Sequence, residues 1–557
     1  MLFRSLVIDE GWVAQSLSGG TLLLEPIAGA AKQESHAEDG AFDPVVRDCL
    51  AQRLSAIATQ MGVVLQQTAV SVNVKQRRDY SCAVFDAAGR LLANAPHVPV
   101  HLGAMGQTVR GIMQAFPVMR LGDCFITNDP YRGGSHLPDV TVVTPVFGAD
   151  ASPLMFVANR AHHADIGGVA PGSMSVVATR LGQEGVVIAP RYLSEAGTDR
   201  VEAFEFLLAS AIYPPRAIAE NLADVSAQQA ANARGASLLS ELASTMGWNK
   251  LATYSEHLLA AAADRISQFL RRLPQEPRTF TDFLDDGTPI AVRITFPEPG
   301  RVVMDFEGTG PVSPTNFNAN PSIVTAAVMY VLRCLIADEL PLNEGVMRCV
   351  ELRVPGGVLN PQADADPAES PAVAAGNVET SQRVVDVLLG AFGVAAASQG
   401  TMNNVLFGNS RFGFYETICG GSGAIAGLDG ASGVHTHMTN TRLTDPEILE
   451  SRYPVRLLRF GLRTGSGGAG RWLGGDGIVR EYEFLEAVEL SLLTSRRGEF
   501  MPYGIAGGSA GCIGLNTLVT SSGQRVELSN CCHLELSAGD RLQIETPGGG
   551  GYGPASP

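Results

Sequence analysis

Only three of the 557 residues are lysine: Lys32, Lys75 and Lys250. None follows a glycine-rich loop, so the G-x-x-x-x-G-K-[ST] phosphate loop is absent and a P-loop ATPase is excluded. Charged residues make up 17% of the chain, and the formal net charge is −16. A general nucleic-acid binder needs a basic footprint, and anionic membrane surfaces attract basic segments; the balance argues against both. No stretch of about 18 uncharged apolar residues offers a membrane span. The first ten residues lack an apolar run of signal-peptide length. Nine cysteines are scattered without a C-x-x-C pair, which reads as reduced thiols. A soluble, cytoplasmic protein is expected.

What is present is enough for two to four domains at roughly 100–200 residues each. Residues 1–28 alternate apolar and polar, with turns at Glu10-Gly11 and Ser18-Gly19-Gly20. They predict a small hairpin pairing 7–8 with 21–25, followed by a polar linker over 29–41. Asp43-Pro44 has the form of a helix N-cap and first helical residue. Val46, Leu50, Leu54, Ile57, Met61 and Leu65 recur behind it at helical spacing. Strands are expected at 81–86, 140–146, 154–158 and within 290–306. Helices are expected at 100–116, over 202–272 with a break at Tyr213-Pro214-Pro215, at 321–337 and at 377–396. After about residue 400 glycine clusters dominate, with β-like runs at 457–462, 478–484, 488–493 and 541–545. The fold class is α+β and multi-domain: a helix-rich α+β core over 42–400 with mixed sheets, then a β-rich, glycine-rich region over 401–557.

Two stretches carry the chemistry. One runs from Asn128-Asp129-Pro130-Tyr131-Arg132 to Ser135-His136-Leu137-Pro138-Asp139; the other is Arg160-Ala161-His162-His163-Ala164-Asp165. Imidazole with carboxylate suits a divalent zinc, manganese or iron ion. Pro138 excludes an ordinary helix interior, so His136 and Asp139 project from an extended turn. His162 and His163 point oppositely in extended backbone, so only one of them is a ligand. Asp165 reads either as a ligand or imidazole-orienting carboxylate, or as the cap of the Gly167-Gly168 turn. Asp129 suits a functional role or a plain turn before Pro130. His101 reads as a site-lining or a structural histidine. His435 and His437 share one side of a strand, as a metal pair or a hydrogen-bonding pair. Glu379 reads as an acid/base or a helix-start carboxylate. The Gly465–Gly470 and Gly507–Gly511 strings match a dinucleotide and a nucleophile-elbow pattern, but neither has the required context in a chain with 62 glycines.

These motifs together resemble the hydantoinase B/5-oxoprolinase family, from about residue 42 to the end. The resemblance also rests on Asp79-Tyr80-Ser81-Cys82, Pro99-Val100-His101-Leu102-Gly103, Pro171-Gly172-Ser173-Met174 and Gly376-Asn377-Val378. Thr380 to Asp386, Gly400-Thr401-Met402-Asn403-Asn404, Gly433 to Glu447 and the tail Thr546 to Gly553 complete it. Gln76 departs from the pattern, which has an acid before Arg77. The resemblance implies the B-type component of an ATP-dependent cyclic-amide hydrolase acting on 5-oxo-L-proline. An A-type ATPase subunit would spend the ATP, in an A2B2-type assembly. A hydantoin hydrolase, an acetone- or acetophenone-type carboxylase component and a scaffold for the ATPase are the alternatives. The implied metal ligands are His136, Asp139 and His162, with Asp165, His163 and Asp129 as catalytic groups. Arg132 and Arg160, beside the motifs, are candidates for the ring carboxylate, with His101 lining the site. Residues 1–28 resemble the end of an A-type chain, as though a fused gene had been split, and would dock on the A partner.

Overall fold

The computed structural model describes residues 12–16, 22–26, 42–101, 103–148, 152–336 and 342–555. The chain divides into two units, Met1–Val46 and Arg47–Pro557. In the first, β1 (Trp12–Ser16) pairs antiparallel with β2 (Leu22–Pro26). The expected hairpin therefore has its first strand later in the chain. Residues 7–8 and the linker 29–41 lie outside the described residues.

A helix over Pro44–Thr68 begins where the sequence places it, with the Asp43 carboxylate accepting from Val45 N. Its buried face includes Leu50, Leu54, Ile57, Met61 and Leu65 of the stripe read from the 3.6-residue period, while Val46 at its start is only partly buried. The site is carried by a seven-stranded antiparallel sheet. Its strands are β3 (Tyr80–Asp86), β4 (Leu91–Asn94), β5 (Cys124–Thr127), β6 (Asp139–Phe147), β7 (Pro153–His162), β8 (Arg191–Glu195) and β9 (Thr198–Asp199), in the order β4-β3-β7-β6-β5-β8-β9. The helix-rich first two-thirds of the chain are thus organised around mixed sheets, as expected.

Alternation along these strands sorts side chains onto two faces. Ile126, Val140 and Val142 pack toward Val225 of the helix Ile218–Met246. Phe125, Val143, Phe156 and Ala158 pack toward Met105, Val109 and Ile112 of the helix Ala104–Ala115. A third cluster joins the helices Pro321–Leu335 and Ser381–Phe392 to a four-stranded sheet that includes Arg278–Phe283 and Pro289–Thr295.

Beyond residue 400 a four-stranded sheet (Asn404–Gly408, Gly413–Glu416, Val488–Leu493, Cys531–Leu536) packs with a five-stranded one that includes Val455–Arg463, Gly477–Phe484 and Arg541–Glu545. The glycine clusters there lie backbone against backbone. A Cβ on Gly549 would sit 2.0 Å from the Ser422 carbonyl oxygen, so that position has no room for a side chain. Among the described residues no helix is long and apolar enough to cross a membrane.

Candidate metal centre

β6 and β7 pair antiparallel with Asp139 opposite His162, Thr141 opposite Arg160 and Val143 opposite Ala158. Directly opposite residues share a face, so Asp139 and His162 emerge together at one end of the hairpin. His136 reaches the same point from the turn just before β6. The three residues are buried and offer ligand atoms within 4.8 Å of one another. His136 Nδ1 lies 3.0 Å from Asp139 Oδ2, and His162 Nδ1 lies 3.3 Å from Asp139 Oδ1.

The surroundings fix the carboxylate. His101 Nε2 lies 3.1 Å from Asp139 Oδ2, and the Ser135 hydroxyl donates to the same oxygen. His101 is held in turn at Nδ1, 2.9 Å from Ser81 Oγ. Burial alone would raise the Asp139 pKa, but His136 and His101 beside it hold it well below the usual carboxylate range. Burial lowers His162, favouring the neutral imidazole that ligates a metal. The His162 ring stacks on Tyr415 at 4.6 Å, and the Arg77 guanidinium lies over that same Tyr415 ring. Arg77 donates to Asn73 Oδ1, the Tyr415 carbonyl and Thr417 Oγ1, so its bonds are found away from position 76.

His136 Nδ1, Asp139 Oδ1 and His162 Nε2 are all buried without a hydrogen-bond partner. Orphaned groups of this kind cost about 1–3 kcal/mol each and call for an explanation. Two imidazoles and one carboxylate oxygen, converging and unsatisfied, fit a divalent cation with a position left open. They stand beside a small cavity that Asp79, His101, Asp139, His162, Asn377, Tyr415, Thr417, Met438 and Thr439 help to line.

The other expected site residues fall elsewhere. His163 follows the last residue of β7 and turns to the opposite face, where it meets Gln228 Oε1 at 3.2 Å and Asn221 Nδ2 at 3.0 Å. Asp165 accepts from Gly167 N, Gly172 N and Arg216, holding the turn as the simpler sequence reading has it. His163 and Asp165 line a second cavity, with Glu220, Asp224 and Tyr453. Asp129 accepts from Tyr131 N at the start of the short turn Pro130–Arg132 and pairs with Arg132, which is half exposed. Arg160 is fully buried. Its guanidinium donates to Thr141 Oγ1, Ser135 Oγ, Thr108 Oγ1 and the Gly133 carbonyl, so it braces the Ser135 turn behind the carboxylate.

His437 bonds Asp386 and Tyr330, while both ring nitrogens of His435 have no partner. Neither joins the triad. Glu379 accepts from Met402 N and Asn404 Nδ2, and burial raises its carboxyl to about 7. Sequence reasoning did not single out Ser81, Ser135, Asn377 or Tyr415 as site residues. Ser81, Ser135 and Asn377 do lie in motifs that carry the resemblance, which was the available signal.

The hydantoinase B/oxoprolinase family pattern matches residues 43–555. The chain is 44% identical over 526 residues to 5-oxoprolinase 1 of Arabidopsis thaliana, covering 90% of this chain and 41% of that protein. It is 36% identical to an uncharacterized protein of Methanocaldococcus jannaschii, covering 92% and 91% of the two chains. A putative D-/L-hydantoinase component of the B type, from a Pseudomonas strain, is 28% identical, covering 93% and 91%. The ATP-dependent caprolactamase of Pseudomonas jessenii superposes with a TM-score of 0.84 at 24% identity, covering 92% and 91%. A nucleotide-free acetone carboxylase superposes with a TM-score of 0.82 at 19% identity, covering 92% and 76%. The chain thus spans about two-fifths of the plant 5-oxoprolinase, and the two solved structures share its fold.

Proposed function

From the premise that this chain belongs to the hydantoinase B/oxoprolinase family, we propose that it is the B-type component of an ATP-dependent cyclic-amide hydrolase acting on 5-oxo-L-proline. The observation that carries this reading is the set of three orphaned, buried ligand atoms gathered around Asp139 beside a small cavity. His136, Asp139 and His162 would hold a zinc, manganese or iron ion. Such an ion supplies hydroxide at neutral pH and polarises a carbonyl. The chain's own residues prepare the place. His101 and Ser135 occupy one oxygen of Asp139 and leave the other free. Tyr415 fixes the plane of His162 by stacking.

An unstrained lactam is a poor electrophile, and phosphorylation of its oxygen makes it a better one. That step is assigned to an A-type ATPase subunit, in an A2B2-type assembly. The plant protein named 5-oxoprolinase supports this division, because the matched region is 41% of its length and leaves most of that protein for other work. The net reaction is 5-oxo-L-proline, ATP and two waters to L-glutamate, ADP and phosphate. Identity favours this ring over a hydantoin: 44% to the plant 5-oxoprolinase against 28% to the hydantoinase component.

The test is to co-purify the chain with its A-type partner, measure metal content and follow ATP-dependent glutamate release. About one metal ion per chain together with glutamate supports the reading. Metal without glutamate rejects the ring, and a metal-free protein without turnover rejects the enzyme.

A further inference from the structure

Asn377 stands where the metal centre meets the cavity, and its surroundings are built for that position. It is the second residue of a π turn, Gly376–Thr380, that runs directly into the helix Ser381–Phe392. Such turns insert an extra residue and re-aim a side chain, and they recur at functional sites. Gly376 locks this one in place, because a Cβ there would lie 1.9 Å from the Asn318 carbonyl oxygen. The Asn377 side chain is buried and lines the cavity with His101, Asp139 and His162. Its Nδ2 lies 3.5 Å from His136 Nε2, and its Oδ1 has no partner.

We propose that Asn377 couples the ion to the substrate: it accepts the Nε2–H of His136 and turns its NH2 into the cavity to hold the amide oxygen of the bound ring. The atom that His136 offers decides the pairing. Its Nδ1 faces Asp139 and lacks a hydrogen-bond partner, so Nδ1 is the ligating atom. An imidazole that ligates through one nitrogen keeps its proton on the other, and that N–H is oriented by an acceptor. The Asn377 carboxamide lies within reach of it. The carboxamide is nearly symmetric in shape, so a half-turn about its last bond presents oxygen to His136 without a steric change. The same half-turn replaces an orphaned acceptor by a donor on the cavity side. A donor fixed there is suited to the ring's amide oxygen, whether as a free carbonyl or after it has taken a phosphoryl group. This inference rests on the function proposed above.

The test compares the full-length chain with Asn377→Asp, which can accept but not donate, and Asn377→Ala, which can do neither. Calorimetry measures Mn2+ binding to the demetallated proteins, then 5-oxo-L-proline and hydantoin binding to the loaded ones, with thermal melts to confirm folding. Asn377→Ala should weaken Mn2+ binding by about tenfold, the usual loss on removing such a support, whereas Asn377→Asp stays within about threefold of the parent. Both variants should bind the ring at least about tenfold more weakly, the scale of one buried hydrogen bond. Equal Mn2+ affinity in the two variants, or undiminished ring binding by Asn377→Asp, overturns the proposal. A parent protein that takes Mn2+ and binds hydantoin alone overturns the 5-oxoproline reading, and the variants are then judged on hydantoin. One that takes Mn2+ and binds neither ring overturns the donor role.

Discussion

Asp139 and His162 are directly opposite one another, as the first residue of β6 and the last of β7, with Oδ1 and Nδ1 3.3 Å apart. The ligand pair is therefore set by backbone register: a slip of one residue would send one side chain to the other face of the sheet. Asp139→Asn keeps the size of the side chain and removes its charge. It should reduce bound metal from about one ion per chain to below about a tenth, because a neutral amide is a poor ligand for a hard or borderline cation. The cost to folding should be about 1–3 kcal/mol, from the disturbed bonds with His101 and Ser135. Elemental analysis beside a thermal melt checks both, and full metal occupancy in this variant would reject the ligand assignment.

His162 and His163 give a sharper contrast, because they are adjacent and serve opposite faces. His162→Gln should lose the ion and leave a folded protein. His163→Gln should keep the ion and lose about 1 kcal/mol of stability, through its bonds to Gln228 and Asn221. Metal content and melting temperature of the two variants separate the roles. Loss of metal from His163→Gln alone would mean that the wrong imidazole has been named.

The hairpin that gathers His136, Asp139 and His162 was legible because its signal is local. His136, Leu137, Pro138 and Asp139 sit on one turn, and the adjacent histidines can present only one ring to it. The helix from Pro44 was legible for the same reason, through Asp43 and the buried stripe from Leu50 to Leu65. The supporting residues were not. Asn377 lies 241 positions from His136 and reaches it through a π turn, which leaves no periodic trace. Tyr415 is delivered by a strand of a different sheet. Proximity in sequence also misled. Arg160 is next to the second motif, yet the strand pairing with Thr141 turns its guanidinium into the frame rather than toward a ligand. The late glycines read in sequence only as an abundance that produces chance motifs. Their use is close backbone contact, which depends on segments distant in sequence.

Glu184 predicts a pH dependence of stability that is separate from the metal centre. Its carboxylate accepts from Val373 N and Ala374 N at the start of the helical stretch leading into the π turn. Burial raises its pKa from 4.5 to about 8, against the lowering effect of those two bonds. With the folded value above the unfolded one, the folded state holds the proton more tightly. The associated stability is fully present below pH 4.5 and is lost as pH rises through about 8. The slope in that window is at most about 1.4 kcal/mol per pH unit. Glu184→Gln should cost about 1 kcal/mol at pH 5, where one acceptor is lost, and should flatten the decline toward pH 9. Denaturant melts of parent and variant across that range decide it, and parallel curves would show that Glu184 is not the titrating group.

The glycine contacts predict position-dependent intolerance within one residue type. Alanine at Gly549 places a methyl group 2.0 Å from the Ser422 carbonyl oxygen, which is backbone and cannot rotate aside. Gly549→Ala should therefore cost several kcal/mol, on the scale of an overpacked core or more. Gly461, within the exposed edge strand Val455–Arg463, has nothing within 4 Å of the point where a Cβ would stand, and it does not have a positive φ. Gly461→Ala should stay within about 0.5 kcal/mol of the parent. Both changes add the same methyl group and remove the same backbone freedom from the unfolded chain, so their difference isolates the contact. A Gly549→Ala protein that melts with the parent would mean that the glycine segments are loosely apposed and that their abundance has some other cause.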